Sequence, residues 1–313
     1  MKPTFGLDDM QTTIGAPASL TGIGVHSGRF TSCTLHPAPA NTGIIFRRID
    51  IDGDDNIILA HASNAVETQL CTRIENASGI GVNMIEHLMA AFHGLGLDNL
   101  IIDIDSGEVP ILDGSSAIIV EVIERAGIVR TDTPRSYIEI LAPVRAELEN
   151  GAWAELSPSD HLQMDITIDF DDPAIGKQHL AFDAHDDCFI KELSEARTFC
   201  LFRDVEIMRN AGLAKGGSLD NALVYDNGTI LNKSGLRMEN ECVRHKALDC
   251  MGDLFLLGMA VKGRMTSEMP GHRLSTILVR ALLDSPESFR IVSHDESLSL
   301  VSQVEMMPIA ASA

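Results

Sequence analysis

The stretch "ENECVRHKALDCMGDLFLLG", residues 239–258, constrains the fold more than any other part of the chain. Val243, Ala247, Leu248, Met251, Leu254 and Phe255 recur at helical spacing, the pattern of a helix packed inside a protein. His245, Asp249 and Asp253 interrupt that pattern at steps of four residues. Such residues stack on one face of a helix, where their side chains meet. Ionisable groups in apolar surroundings are costly unless they are paired or bind a cation. The fold must therefore bring a matching polar surface to this helix, and a functional site explains the arrangement better than a solvated stripe does.

The rest of the chain alternates between strand-like runs and helices. "TSCTLHPAP", "TGIIFRRID" and "NLIIDIDS" read as strands, while "NMIEHLMAAFHGLG" and "DGSSAIIVEVIERAG" read as helices closed by glycine. "RTDTPRS", residues 130–136, is polar, contains Pro134 and is the candidate boundary. Beyond it, "SYIEIL", "AWAELSP" and "QMDITIDF" are strand-like, "DDCFIKELSEARTF" looks helical, and "SLDNALVYDNGTILN" looks like a hairpin turned at Asp-Asn-Gly. The opening helix follows, then a helix over "PGHRLSTILVRALLDS". Each half thus places strands before two helices, which argues for an α+β fold and hints at duplication, although the two halves share too little sequence to establish a repeat.

Bulk properties exclude several classes. A chain of 313 residues with 45% hydrophobic and 22% charged residues is long enough for two ordinary domains with a substantial core. The net charge of −21 disfavours nucleic acid and anionic membranes as partners. None of the six cysteines falls in a CxxC pair, so reduced, buried thiols are expected. No run of about 18 apolar residues is present, and the start has no apolar signal core. The expected location is the cytoplasm, without stable membrane insertion.

Two further islands bear on chemistry. Glu86 and His87 are adjacent in "NMIEHLMAAF"; if His87 binds a metal, Glu86 can face the water beside it as a general base. His272 follows Pro270 and Gly271 where a loop meets a helix, a place for an acid or charge stabiliser. Taken alone, each island reads first as a structural or solvated pair. Together they offer two histidines and an aspartate for a metal with one position open, a base carboxylate and a separate imidazole. That set suits metal-assisted hydrolysis of an amide or ester. "LAKGGSLDN" lacks the spacing of a phosphate-binding loop, and "TGIGVHSG" lacks the surroundings of a dinucleotide fingerprint. His26, within that second run, is expected to stabilise a turn.

With these islands stand the stretches "TGIGVHSG", "HPAPANTGIIFRR", "IEHLMAAFHGLGLDN", "EVPILDGSS", "ARTF", "AKGGSLDNALV", "VRHKALDCMGDLFLLG" and "GHRLS". In this order, from about residue 11 to 290, the chain resembles the UDP-3-O-acyl-N-acetylglucosamine deacetylases, zinc enzymes of lipid A biosynthesis in Gram-negative bacteria. The resemblance implies two duplicated α/β layered-sandwich domains, 11–130 and 137–300, with the active site between them and a tail at 301–313. It implies one Zn²⁺ per chain, with Fe²⁺ as the alternative ion in the cell, held by His87, His245 and Asp249. Glu86 would be the base, His272 the charged stabiliser or acid, Asp253 its orienting partner and Thr198 a donor to the tetrahedral intermediate. Lys246 would meet the phosphate side of the substrate. Phe199, Ala214, Leu219 and Ala222 are candidates for lining an acyl passage, each equally readable as core packing. An acylated UDP-sugar is the expected partner, and the chain is expected to be a monomer.

The chain departs from the family pattern at several points. Asn83 and Met84 stand where a small polar pair is usual, and Cys200 where glycine is usual. Met269 and Ser275 replace a common lysine and asparagine, leaving Arg273 as the nearby cation. These departures admit a second reading, a zinc amidase of the same fold acting on a different acylated UDP-amino sugar. A third reading, a catalytically weak binder of the nucleotide-sugar lipid, is opposed by retention of every catalytic residue.

Overall fold

The computed structural model describes residues 10–68, 70–184 and 188–293. Residues 294–300 of the expected second domain and the tail 301–313 lie outside the described residues.

Two five-stranded sheets organise the chain. The first contains β1 (Ala18–Ile23), β2 (Phe30–Pro37), β3 (Ile44–Arg48), β4 (Ile57–Leu59) and β5 (Leu100–Ile104). The second contains β6 (Val144–Glu147), β7 (Trp153–Ser157), β8 (Gln163–Asp169), β9 (Lys177–Asp183) and β10 (Arg264–Glu268). Their spatial orders are β1-β2-β5-β3-β4 and β6-β7-β10-β8-β9, the same wiring twice. In each sheet the last strand enters the middle, antiparallel to the second strand and parallel to the third. The halves are therefore duplicated in topology where their sequences are not visibly alike. Exposed or half-buried and fully buried residues alternate along β2 and β8, the period-2 signature of a sheet with one face on a core.

Helices α1 (Glu86–Leu95) and α2 (Ala117–Ala126) follow the first four strands. Helices α3 (Phe202–Asn210), α4 (Glu241–Leu254) and α5 (His272–Leu283) follow the second four. Helix α2 packs on β1, α4 on β8 and β9, and α5 on β6 and β7, while α1 lies along α4. Every residue of α1 is buried, so this helix belongs to the centre of the molecule. It stops at Gly96, whose φ of 68° gives the left-handed cap that glycine adopts without strain.

Each half also carries an insert at the same place, between its fourth strand and its long helix. The first is a small sheet of Ala65–Val66, Arg73–Glu75 and Gly81–Asn83. The second is a sheet of Phe199–Leu201, Leu223–Asp226 and Thr229–Ile230, with α3 between its first two strands. The hairpin expected at Asp-Asn-Gly is present, and Asn227 and Gly228 both have positive φ, as its tight turn requires.

Two expectations need correction. Strands do not all precede the helices, because β5 lies between α1 and α2 and β10 between α4 and α5. The candidate boundary run, 130–136, is itself structured. Ile128–Pro134 is a strand paired antiparallel with Met10–Ile14, and Arg135 is buried against Asp98. The helix expected over "DDCFIKELSEARTF" shrinks to one turn, Phe189–Glu192, with Asp186 and Asp187 outside the described residues. Competing partners end that helix: Arg197 is drawn onto the buried carboxylate of Glu241, and Phe199 joins a parallel ladder with Leu223. No helix among the described residues is long and apolar enough to cross a membrane.

Candidate active site

The site begins at a helix crossing. A Cβ on Gly252 of α4 would lie 2.1 Å from the carbonyl oxygen of Glu86 and 3.0 Å from the nitrogen of Ala90. Only a residue without that carbon allows α4 to lie so close to α1. The contact sets Glu86 and His87 against Asp249 and Asp253.

His87 Nε2 lies 3.7 Å from Asp249 Oδ1, and His245 Nε2 lies 3.3 Å from the same oxygen. The two imidazole rings meet edge to face with centroids 4.9 Å apart. All three residues are buried, and neither His87 Nε2 nor Asp249 Oδ1 has a hydrogen-bond partner within the protein. His245 Nδ1 donates to the Ala196 carbonyl at 2.9 Å, which leaves Nε2 with an open lone pair. Burial lowers the pKa of His245 and pushes that of His87 down to about 3, so both rings are neutral. Burial opposes ionisation of Asp249, but His245, Lys246 and His272 hold its carboxyl well below the usual range. Neutral imidazoles, an ionised carboxylate and unsatisfied atoms aimed at one point are what a divalent cation needs. Among the described residues this is the group whose donor atoms converge for a metal, all within 4.8 Å of one another.

Around this centre stand two groups whose proton affinity the surroundings shift. Burial raises Glu86 to about 7, against the pull of His272. Burial disfavours charge on His272, but Asp253 and Glu86 outweigh it and raise the imidazole to about 9. His272 Nδ1 donates to Asp253 Oδ2 at 3.2 Å, and its Nε2 lies 3.7 Å from Glu86 Oε1. Lys246 donates to Asp249 Oδ2 at 2.8 Å. Sequence reading missed Thr72, whose amide donates to Glu86 Oε2 at 2.9 Å and whose hydroxyl donates to Asp253. Its run, "LCTRI", shows no motif, because those partners come from elsewhere in the chain.

A cavity of about 460 Å³ opens beside the centre. Phe199, Ala214, Leu219 and Ala222 all line it, as do Thr198 and Lys246, whose bond to Asp249 joins cavity and centre. Arg273 does not line it; its guanidinium is at the surface, 3.2 Å from Glu67 Oε2. His26 lines the cavity too, and the turn it was expected to hold is held by Glu108, which accepts the amides of His26 and Ser27 at 2.7 and 2.8 Å. The two glycine-rich runs clasp each other here. A Cβ on Gly216 would lie 2.4 Å from the Gly24 carbonyl, and the Gly216 amide donates to the Val25 carbonyl at 3.0 Å. Their glycines permit close backbone approach between the halves.

Two imidazoles and a carboxylate converging beside a second carboxylate, a charged imidazole and an apolar cavity define a metallohydrolase centre. Comparison with known proteins narrows that class. The chain belongs to the family described as "LpxC: UDP-3-O-acyl N-acetylglycosamine deacetylase", whose model matches residues 11–284. It is similar to the UDP-3-O-acyl-N-acetylglucosamine deacetylase of Phenylobacterium zucineum (strain HLK1), with 44% identity over 289 residues, 92% of this chain and 98% of that protein. Identity with the protein of the same name from Brucella ovis (strain ATCC 25840 / 63/290 / NCTC 10512) is 46% over 283 residues, 90% of this chain and 98% of that one. For the Glaesserella parasuis serovar 5 (strain SH0165) protein, also so named, it is 45% over 291 residues, covering 91% and 94%.

Proposed function

We propose that the protein hydrolyses the acetamide of UDP-3-O-acyl-N-acetylglucosamine, releasing acetate and the free sugar amine, with Zn²⁺ held by His87, His245 and Asp249. The observation that carries this reading is the pair of buried, unpartnered donor atoms, His87 Nε2 and Asp249 Oδ1, facing His245 Nε2. When bound, the zinc ion supplies Lewis acidity that activates both a water molecule and the amide carbonyl.

The chain's own residues supply the rest. Glu86 Oε1 accepts the proton of the attacking water as hydroxide adds to the acyl carbon. The C–N bond then breaks, and the same proton passes to the departing amine. Protonated His272 lies where it can stabilise the negative charge that develops on the carbonyl oxygen, an effect worth about 3 to 4 kcal/mol for one oxyanion donor. Asp253 holds its ring, and the Thr198 hydroxyl donates to the tetrahedral intermediate. Lys246 faces the phosphate side of the substrate, and the cavity walled by Phe199, Ala214, Leu219 and Ala222 takes the acyl chain and excludes water from it.

We take residues 11–130 and 137–300 as two domains with the reaction between them, supported by the duplicated strand order. We take the monomer as the working unit. In a Gram-negative cell the reaction belongs to lipid A biosynthesis in the cytoplasm. The test is to purify the chain, measure its bound zinc and follow acetate release from UDP-3-O-acyl-N-acetylglucosamine. Zinc with turnover is expected. Metal-loaded protein that releases no acetate from this substrate would overturn the reading.

A further inference from the structure

We propose that Thr72 is a positioning residue that sets the base and the charged imidazole of the deacetylase site together; the role rests on the reaction proposed above. Thr72 is 3% exposed and leads into the strand Arg73–Glu75 of the first insert. Its backbone is fastened to the start of α1, where the Ile85 amide donates to the Thr72 carbonyl at 3.4 Å. From there it presents two donors to two different groups. The amide donates to Glu86 Oε2 at 2.9 Å, which fixes one oxygen of the base. The other oxygen, Oε1, is the one that lies 3.7 Å from His272 Nε2.

The hydroxyl acts on the opposite half of the molecule. It donates to Asp253 Oδ1 and sits 3.0 Å from His272 Nδ1. A hydroxyl has one proton to give. With that proton on Asp253, the oxygen can only accept from the imidazole, so Nδ1 carries a hydrogen whether or not Nε2 is also protonated. Asp253 Oδ2, 3.2 Å away, accepts from the same N–H. The ring is thus clamped by two acceptors on its Nδ1 edge, and Nε2 is left facing Glu86 Oε1 and Asp249 Oδ2, at 3.7 and 4.0 Å. Asp253 alone would leave the ring free to swing about one hydrogen bond. With Thr72 as a second anchor, ring orientation and base orientation are tied to a single residue across the seam between the halves.

The test replaces Thr72 with valine, which keeps the amide and the shape but removes the hydroxyl. Thr72→Val is expected to lower kcat by about 10- to 100-fold with KM and bound metal unchanged, and Thr72→Ser is expected to recover kcat to within about threefold of the parent. Nitrogen-15 NMR of labelled histidine gives a readout that needs no turnover. The His272 Nδ1–H signal, assigned by its loss in His272→Ala, should be present in the parent and in Thr72→Ser, and shifted or lost to exchange in Thr72→Val. If valine does not fold, Thr72→Ala removes the same hydroxyl and is read in the same way. A hydroxyl-free variant with parental kcat and an unaltered His272 signal overturns the proposal, as does a serine variant as impaired as valine, which would assign the effect to methyl packing. A parent that releases no acetate defeats the deacetylase reading, while the NMR comparison still decides the role of the hydroxyl.

Discussion

Replacing Gly252 with alanine sets two physical effects against each other at the heart of the site. Helix propensity alone favours the change, by about 1 kcal/mol at a helix interior. The crossing opposes it, because the new methyl would sit 2.1 Å from the Glu86 carbonyl oxygen, whereas ordinary contact begins at 3.4 Å. Opening the gap takes roughly 1.3 Å of separation between α4 and the first turn of α1, and overpacking of this kind costs about 1 to 3 kcal/mol. Backbone, not a flexible side chain, blocks the way, so the upper part of that range applies and the net change is destabilising by about 1 to 2 kcal/mol. The larger effect falls on function. Glu86 and His87 ride on the turn that must move, and Asp249 and Asp253 stay with α4. A misplacement of about 1 Å between reacting groups costs about 100-fold in rate. Gly252→Ala should therefore melt lower than the parent, bind metal more weakly in competition with a chelator and lose about two orders of magnitude in kcat/KM. A variant that melts higher than the parent with full turnover would show that the two helices can part without disturbing the centre, and would refute the reasoning.

Glu86→Gln should keep its bound metal and lose about 10²- to 10⁴-fold in kcat; unchanged turnover would remove Glu86 as the base. Activity should trace a bell against pH. Glu86, raised to about 7, must be ionised to accept a proton, so kcat/KM rises as pH climbs through that region, and a bound cation moves this limb lower. His272, raised to about 9, must stay protonated, so activity falls as pH passes that value; a falling limb that persists in His272→Ala would reassign it. Ala222→Leu narrows the cavity and should raise KM at least about tenfold for a long-chain substrate, leaving a short-chain analogue little changed; equal effects on both would take Ala222 out of the acyl path.

Much of the fold was legible because its signals are local. Alternation along β2 and β8, the Asp-Asn-Gly turn and the glycine stop after α1 depend on neighbours in sequence, and all three hold in the structure. The one-turn remnant at Phe189–Glu192 was misread because its helical pattern is overridden by distant partners, Glu241 for Arg197 and Leu223 for Phe199. Arg273 was chosen for its charge and position; its partner Glu67, more than two hundred residues away in sequence, is visible only in the structure. Helix periodicity likewise dictated that His245, Asp249 and Asp253 share a face, since that follows from residue spacing alone.

What periodicity could not reach is everything that depends on one element approaching another. The meeting of His87 with Asp249, the Ala196 carbonyl that orients His245, the Thr72 hydroxyl on Asp253 and the room left by Gly252 are all non-local. In sequence, Gly252 reads as a mild weakness in a helix. Only packing reveals it as the point of closest approach, because a helix specifies the direction of its own side chains but not the distance to its neighbour.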